Sequence, residues 1–277
     1  NLRLGYNMRI YRPGIWYLNP YLNDTDPSYI SQGNSELDSE KSHAFNLSYS
    51  NFTQKFNINL SARYSFTNNS IENVTKLMPD TEIEGLKNPT GKDVLYSTYA
   101  NIGKTRRASV SAYVNWNATP RTRIYMNMSG DYSYMEGSEG MRNDGWSLFA
   151  YGGAQQTLPH DWRISLNVFG QTPWIMLQGK GSSFFDYGLS VNKSFLNKRL
   201  TLSAFASNFF KKYMDQSSTT EGAGFIRESS YKYSRQRFGI SVSYRIGELK
   251  ASVKKAARTI SIDDVKSGGS GSGGGGE

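Results

Sequence analysis

Apolar and polar side chains alternate along most of this chain. From Arg237 to Gly247, Phe238, Ile240, Val242, Tyr244 and Ile246 share one parity; Arg237, Gly239, Ser241, Ser243 and Arg245 share the other. Successive side chains of a strand point to opposite faces, so this segment predicts a strand with one oily and one wet face. Leu2 to Tyr11 repeats the pattern, with Leu2, Leu4, Tyr6, Met8 and Ile10 opposite Arg3, Gly5, Asn7, Arg9 and Tyr11. His43 to Phe52, Lys55 to Phe66, Val94 to Asn117, Arg121 to Met135, Gly145 to Thr157, Asp161 to Thr172, Phe184 to Leu196 and Arg199 to Tyr213 follow it too. Within Val94 to Asn117 the parity falters, because Lys104 and Arg106 fall on the oily side. A bulge near Gly103, or a position above the apolar band, accounts for this.

The connections alternate in kind. Thr53-Gln54, Ala118 to Pro120, Leu158 to His160 and Asn197-Lys198 are tight turns. Arg12 to Ser42, Leu77 to Lys92, Glu136 to Asp144, Pro173 to Ser183 and Met214 to Ser230 read as loops, the first with turn signals at Pro13-Gly14, Asn19-Pro20 and Asp26-Pro27. Structureless loops of this length are uncommon inside compact soluble domains and ordinary at one end of a membrane meander. The expected fold is all-β: an antiparallel transmembrane β-barrel with about ten strands visible. Aromatic residues gather at the strand ends, Trp116 and Trp162 at the tight-turn end, Trp146, Tyr132, Tyr134 and Phe185 at the loop end. This resembles the girdles at the two lipid–water boundaries, although aromatics also favour strands in general. A soluble β-sandwich binding module is the competing architecture, since alternation alone suits both.

Composition narrows the picture. Only 37% of residues are hydrophobic, and no apolar run approaches the roughly 18 residues of a spanning helix. Barrel strands show lipid every second residue, so low hydropathy leaves that fold open. Aromatics reach 14%, with 19 Tyr and 14 Phe, as strands and interfaces favour. Cysteine is absent, which excludes disulfides and thiolate metal sites. The net charge of +9 suits lysines and arginines in lumen and loops; no compact basic motif points to nucleic acid. Residues 1–247 read as the barrel. Residues 248–277 read as a flexible tail, basic and then Gly/Ser-rich, on the tight-turn, periplasmic side. The chain opens inside a strand, so more sequence is expected upstream.

Catalytic chemistry finds little foothold. His43 and His160 are far apart, neither a P-loop nor a G-x-S-x-G motif occurs, and Asp24 and Asp26 are followed by Pro27 rather than a calcium loop. No enzyme, metal or cofactor is expected. Ligand contacts are expected from the long loops, where Trp16, Tyr17, Tyr21 and Tyr29 either stack on a sugar, peptide or chelate or pack the loop on itself. On the wet face, Arg3, Arg9, Arg63 and Arg163 either meet an acidic partner in the lumen or pair with neighbouring carboxylates.

Asn19-Pro20, then Gly33-Asn34, Leu37 and Glu40, followed by Asn101-Ile102-Gly103-Lys104 and the final strand, resemble features of TonB-dependent outer-membrane receptors in matching order. That family has Pro where Ser35 and Ser39 stand here. The resemblance implies the C-terminal part of a barrel of about 22 strands, with a nutrient-uptake role in the Gram-negative outer membrane and loops outside. The implied partners are the lipid bilayer, an N-terminal plug and the remaining strands of the same protein, TonB and a surface lipoprotein. A structural partner barrel without energised transport is the alternative within the same fold.

Overall fold

A computed structural model describes residues 1–247 and the backbone of Val265–Lys266. Its strands are β1 (Leu2–Pro13), β2 (Asn23–Asp26), β3 (Tyr29–Ser31), β4 (Glu40–Phe52), β5 (Phe56–Pro79), β6 (Asp93–Thr119), β7 (Thr122–Glu136), β8 (Arg142–Leu158) and β9 (Trp162–Gln171). They continue with β10 (Ile175–Met176), β11 (Gly179–Lys180), β12 (Phe184–Phe195), β13 (Leu200–Ser207), β14 (Tyr213–Gly222), β15 (Phe225–Ser234), β16 (Arg237–Tyr244) and β17 (Val265–Lys266). One short helix, α1 (Ile15–Leu18), and a 3-10 turn at Asp80–Glu82 complete the described residues.

The main sheet has 13 strands, and all but β2, β3 and β17 form a wall in the order β1-β4-β5-β6-β7-β8-β9-β12-β13-β16. Every neighbouring pair in the wall is antiparallel. Tight turns and long connections alternate between its strands as the sequence predicts, so all the long loops emerge at one end. Register keeps like faces together: Leu60, Ala112 and Met128 lie in one row across β5, β6 and β7, and Ala154, Leu166 and Leu189 in another across β8, β9 and β12. The oily face is uncovered. Leu4 is 81% exposed, Val110 65%, Leu166 43% and Val242 68%. A sandwich would bury that face against a second sheet; an exposed apolar surface of this extent belongs against hydrocarbon. The wall does not close on itself, since β1 and β16 do not pair with each other among the described residues. No described helix is long and apolar enough to cross a membrane.

The expected bulge is present. Opposite Gly103 the β5–β6 register shifts between Thr67 and Ser70 and again between Ser70 and Ile71. Arg106 covers the irregularity, donating to the carbonyls of Thr67 (3.2 Å) and Thr105 (3.1 Å) and to Asn68 Oδ1 (2.8 Å), with its guanidinium over the Phe66 ring. A charge on the outward parity is thus engaged by two carbonyls and the Asn68 side chain beside the bulge.

The loops are more ordered than the sequence suggests. Met214 to Ser230, read as a polar loop, is most of a long hairpin, β14–β15, in a four-stranded sheet with β10 and β11. Pro173 to Ser183 carries β10 and β11, and Arg12 to Ser42 contains α1, β2 and β3. β13 stops at Ser207, where Asn208 takes a positive φ, instead of continuing to Tyr213. Two small cores hold the loops, Ile30 with Ile83 and Val94, and Met135 with Ile175 and Leu177. Of the tail, Val265 and Lys266 pair in parallel with Arg12 and Pro13; the rest lies outside the described residues.

Candidate functional site

The loop end of the wall is roofed. β3 runs parallel to the upper part of β6 (Tyr29 opposite Leu95, Ser31 opposite Ser97) and lays the first loop over that strand. Gly33 allows the loop to close on α1: a Cβ there would stand 2.4 Å from the Asn19 carbonyl oxygen and 2.7 Å from that of Tyr17. Asn34 then bridges the layers, its N–H donating to the Tyr17 carbonyl (2.6 Å) and its side-chain amide to the Tyr99 carbonyl (2.9 Å). Asn101 donates to the carbonyls of Asp38 (3.0 Å) and Asn69 (3.1 Å) and accepts from the Asp38 N–H (2.8 Å). The Glu40 carboxylate accepts the Ile71 N–H. Gly103 packs where a Cβ would sit 2.0 Å from Ser70 Oγ. The residues singled out between Asn19 and Gly103 are, physically, the latch that fixes the first loop to β5 and β6.

The opposite half of the roof is the β10-β11-β14-β15 sheet, which reaches across the mouth. Gln178 pairs with the free edge of β5, accepting the Thr75 N–H (2.7 Å) and donating to its carbonyl (2.9 Å). Beyond Thr67 the β4 strand no longer covers this edge. A side-chain amide therefore supplies the hydrogen bonds that a strand would have made. At the hairpin tip the Arg227 guanidinium lies 3.8 Å from the centre of the Tyr29 ring.

Between the halves lies a vestibule of about 970 Å³. Tyr17, Tyr99 and Asn73 line one side; Trp174, Gln178, Gln216, Ser218, Thr220 and Tyr231 line the other. Tyr17 meets Tyr99 edge-on with centroids 4.6 Å apart, and burial, aided by Tyr99, Glu40 and Glu72, pushes its phenol up to about 12. Glu72 is the one charged residue of the lining. Glu72 and Met135 also line a lower cavity of about 530 Å³ with Arg63, Arg107, Ser109 and Asp131, so the vestibule opens onto the wet face of the wall. Such a surface offers flat apolar rings and neutral amides and hydroxyls.

The residues singled out from sequence distribute as follows. Of the four loop aromatics, Tyr17 lines the vestibule, Tyr29 sits under Arg227, and Trp16 and Tyr21 are about 70% exposed outside it. Arg3, Arg9, Arg63 and Arg163 all occupy the polar parity, opposite Ser48, Ser42, Ser109 and Asn192 on neighbouring strands. Arg63 lines the lower cavity. Trp116 stands between Phe56 and Ile124 at the tight-turn end, with Trp162 opposite Leu158 and Lys193. At the loop end Tyr132 packs on Trp146 (5.3 Å), and Tyr134 lies under Arg142; Phe185 is exposed. Sequence reasoning passed over Trp174, Gln178, Gln216 and Tyr231, which lie in segments with no oily parity. The Ala223-Gly224 turn, which joins β14 to β15, is the available signal. His43 accepts from Tyr6 or donates to it (2.8 Å) and stacks on Phe66, and no group of three or more His, Cys, Asp or Glu among the described residues is arranged to hold a metal.

Comparison with known proteins agrees with this architecture. The copper transporter OprC has a similar fold, with a TM-score of 0.58 at 14% identity; the match covers 88% of this chain and 38% of OprC. The chain thus spans well under half of that structure, and at this identity the likeness is one of fold. No curated protein sequence matches. The family model of the outer membrane protein beta-barrel family matches residues 1–244, nearly the whole described wall and its loops. An exposed apolar face, a polar interior, segregated loops and this match lead to one conclusion: the chain belongs to the outer membrane protein beta-barrel family.

Proposed function

We propose that this chain is the C-terminal wall of a TonB-dependent-type receptor that takes up a nutrient, with its loops facing outward. The observation that carries the reading is the roofed vestibule above a continuous polar lumen in a wall that leaves two strand edges without each other. Unpaired strand edges are costly in hydrocarbon, so β1 and β16 require further strands to complete the barrel. Arg63 and its neighbours, facing the lumen, suit contact with an acidic plug surface. The ring-bearing vestibule, with Glu72 as its one charged lining residue, suits a polyhydroxylated or peptide ligand presenting flat faces and hydrogen-bonding groups.

Uptake by the whole protein in its native membrane tests this. Labelled oligosaccharides and peptides are offered with and without an uncoupler of the proton-motive force. Accumulation that the uncoupler abolishes, and that Trp174→Ala with Gln216→Ala lowers, is the expected result. Ligand binding at the surface with no energy-dependent accumulation would instead make the chain a partner barrel in a larger complex.

A further inference from the structure

A second concavity lies on the outer, lipid-facing side of the wall. It has a volume of about 850 Å³ and runs over β7, β8, β9 and β12, where Gly152, Ala150 and Gly170 leave a trough between the bulkier Met126, Leu148 and Phe185. The trough does not end in apolar residues. At its loop end it meets Lys211 and Asp215, which pair loosely at 3.9 Å. Lys212 and Lys232 stand beside them, both within 6 Å of the Tyr213 ring centre. Lys232 is also the cross-strand partner of Asp215, so three lysines and one aspartate gather at the foot of this hairpin. Immediately below, Tyr187, Phe209 and Phe210 form an aromatic cluster with centroids 4.5–5.9 Å apart, and Phe210 is 86% exposed. Aromatic rings gathered at one height, Tyr187 among them, resemble the girdles at the lipid–water boundary of a barrel.

We propose that this trough and its lysines form a binding site for a phosphate-bearing lipid of the leaflet at the loop end. One acyl chain lies along Gly152, Ala150 and Gly170, and the phosphate sits among Lys211, Lys212 and Lys232. The trough's position decides the class of ligand. Its lower part is set in the face that meets hydrocarbon, where an acyl chain is the natural filling, and the surplus positive charge appears only where the chain's headgroup would emerge. The site is independent of the vestibule, which opens on the other side of the wall.

The test uses the full-length protein, purified from its membrane and reconstituted into phosphatidylcholine vesicles containing either diphosphorylated lipid A or its dephosphorylated form. Lipid retained through detergent extraction is counted by native mass spectrometry. The expected result is selective retention of the phosphorylated lipid. Retention should weaken roughly fivefold for each of Lys211→Gln, Lys212→Gln and Lys232→Gln. Ala150→Phe, which fills the trough and leaves the lysines in place, should also reduce it. Heat-modifiable gel mobility confirms that each variant is folded. Release by excess inorganic phosphate, with Ala150→Phe having no effect, would reduce the site to a simple anion patch and overturn the proposal. Equal retention of both lipids, or a co-purifying protein covering the trough, would overturn it too.

Discussion

The wall and the roof are built from the same kind of strand and held together by different forces. In the wall, backbone groups pair strand to strand while large apolar side chains such as Val110 and Val242 remain exposed. Nothing among the described residues buries them, so the surrounding hydrocarbon is part of the fold. In the roof, the two small cores around Ile30 and Leu177 are internal, and single side chains clamp separate segments, Gln178 on Thr75 and Asn34 on Tyr17 and Tyr99. The comparison teaches that damage to one region need not spread to the other. A wall strand fails when its face parity is violated; a roof loop fails when one close contact or one amide is lost.

The strongest way to break this contrast is to place a charge on the oily face. Leu166→Arg should destabilise the folded barrel by about 2–4 kcal/mol, as expected near the bilayer midplane. Asn167→Arg, one residue on and facing the lumen, should cost much less. Denaturant titration in lipid vesicles measures both, and similar losses from the two would deny that the faces differ. Next in size is Gly33→Val, whose side chain would collide with the Asn19 and Tyr17 carbonyls. It should expose the first loop to protease while leaving heat-modifiable mobility, the signature of an intact wall, unchanged.

A smaller effect is expected from Gln178→Ala, which removes two hydrogen bonds to an otherwise open strand edge. Local opening of the roof should become easier by about 1–3 kcal/mol, seen as faster amide exchange at Thr75 with little change in the wall. The smallest is electrostatic. Because the folded pKa of Tyr17 is raised to about 12, folding retains a proton that the unfolded chain gives up near its ordinary value. Its contribution is therefore complete below about pH 10 and declines as pH rises toward 12. Tyr17→Phe should flatten that part of the roof's stability profile and remove one late-titrating phenol from the ultraviolet difference spectrum.

What the sequence made legible follows the same division. Wall strands announce themselves because lipid on one side and water on the other force a period of two, and even the fault at Lys104 and Arg106 pointed to the bulge opposite Gly103. The hairpin β14–β15 gave no such signal. Met214, Gln216, Ser218 and Thr220 are nearly as polar as Tyr213, Asp215, Ser217 and Thr219, since both faces of a roof strand can meet water. The vestibule was legible only in Tyr17, an aromatic in a polar loop. Trp174, Gln178 and Gln216 join it through a fold of the loops over the mouth that local pattern does not encode. The Gly33-Asn34 motif was readable as a family resemblance, and its physical role, a close backbone approach and an amide bridge, emerged only with the partners in place.

The central claim is that neighbouring residues of each wall strand meet opposite media, and the absence of native cysteine makes it directly measurable. Single cysteines are introduced from Trp162 to Gln171, spin-labelled in lipid vesicles, and their collision rates with oxygen and with a water-soluble nickel chelate compared. The account predicts oxygen maxima at 162, 164, 166, 168 and 170, with chelate maxima at the positions between. Rates that vary smoothly along β9, or that show both probes rising at the same residues, would contradict it.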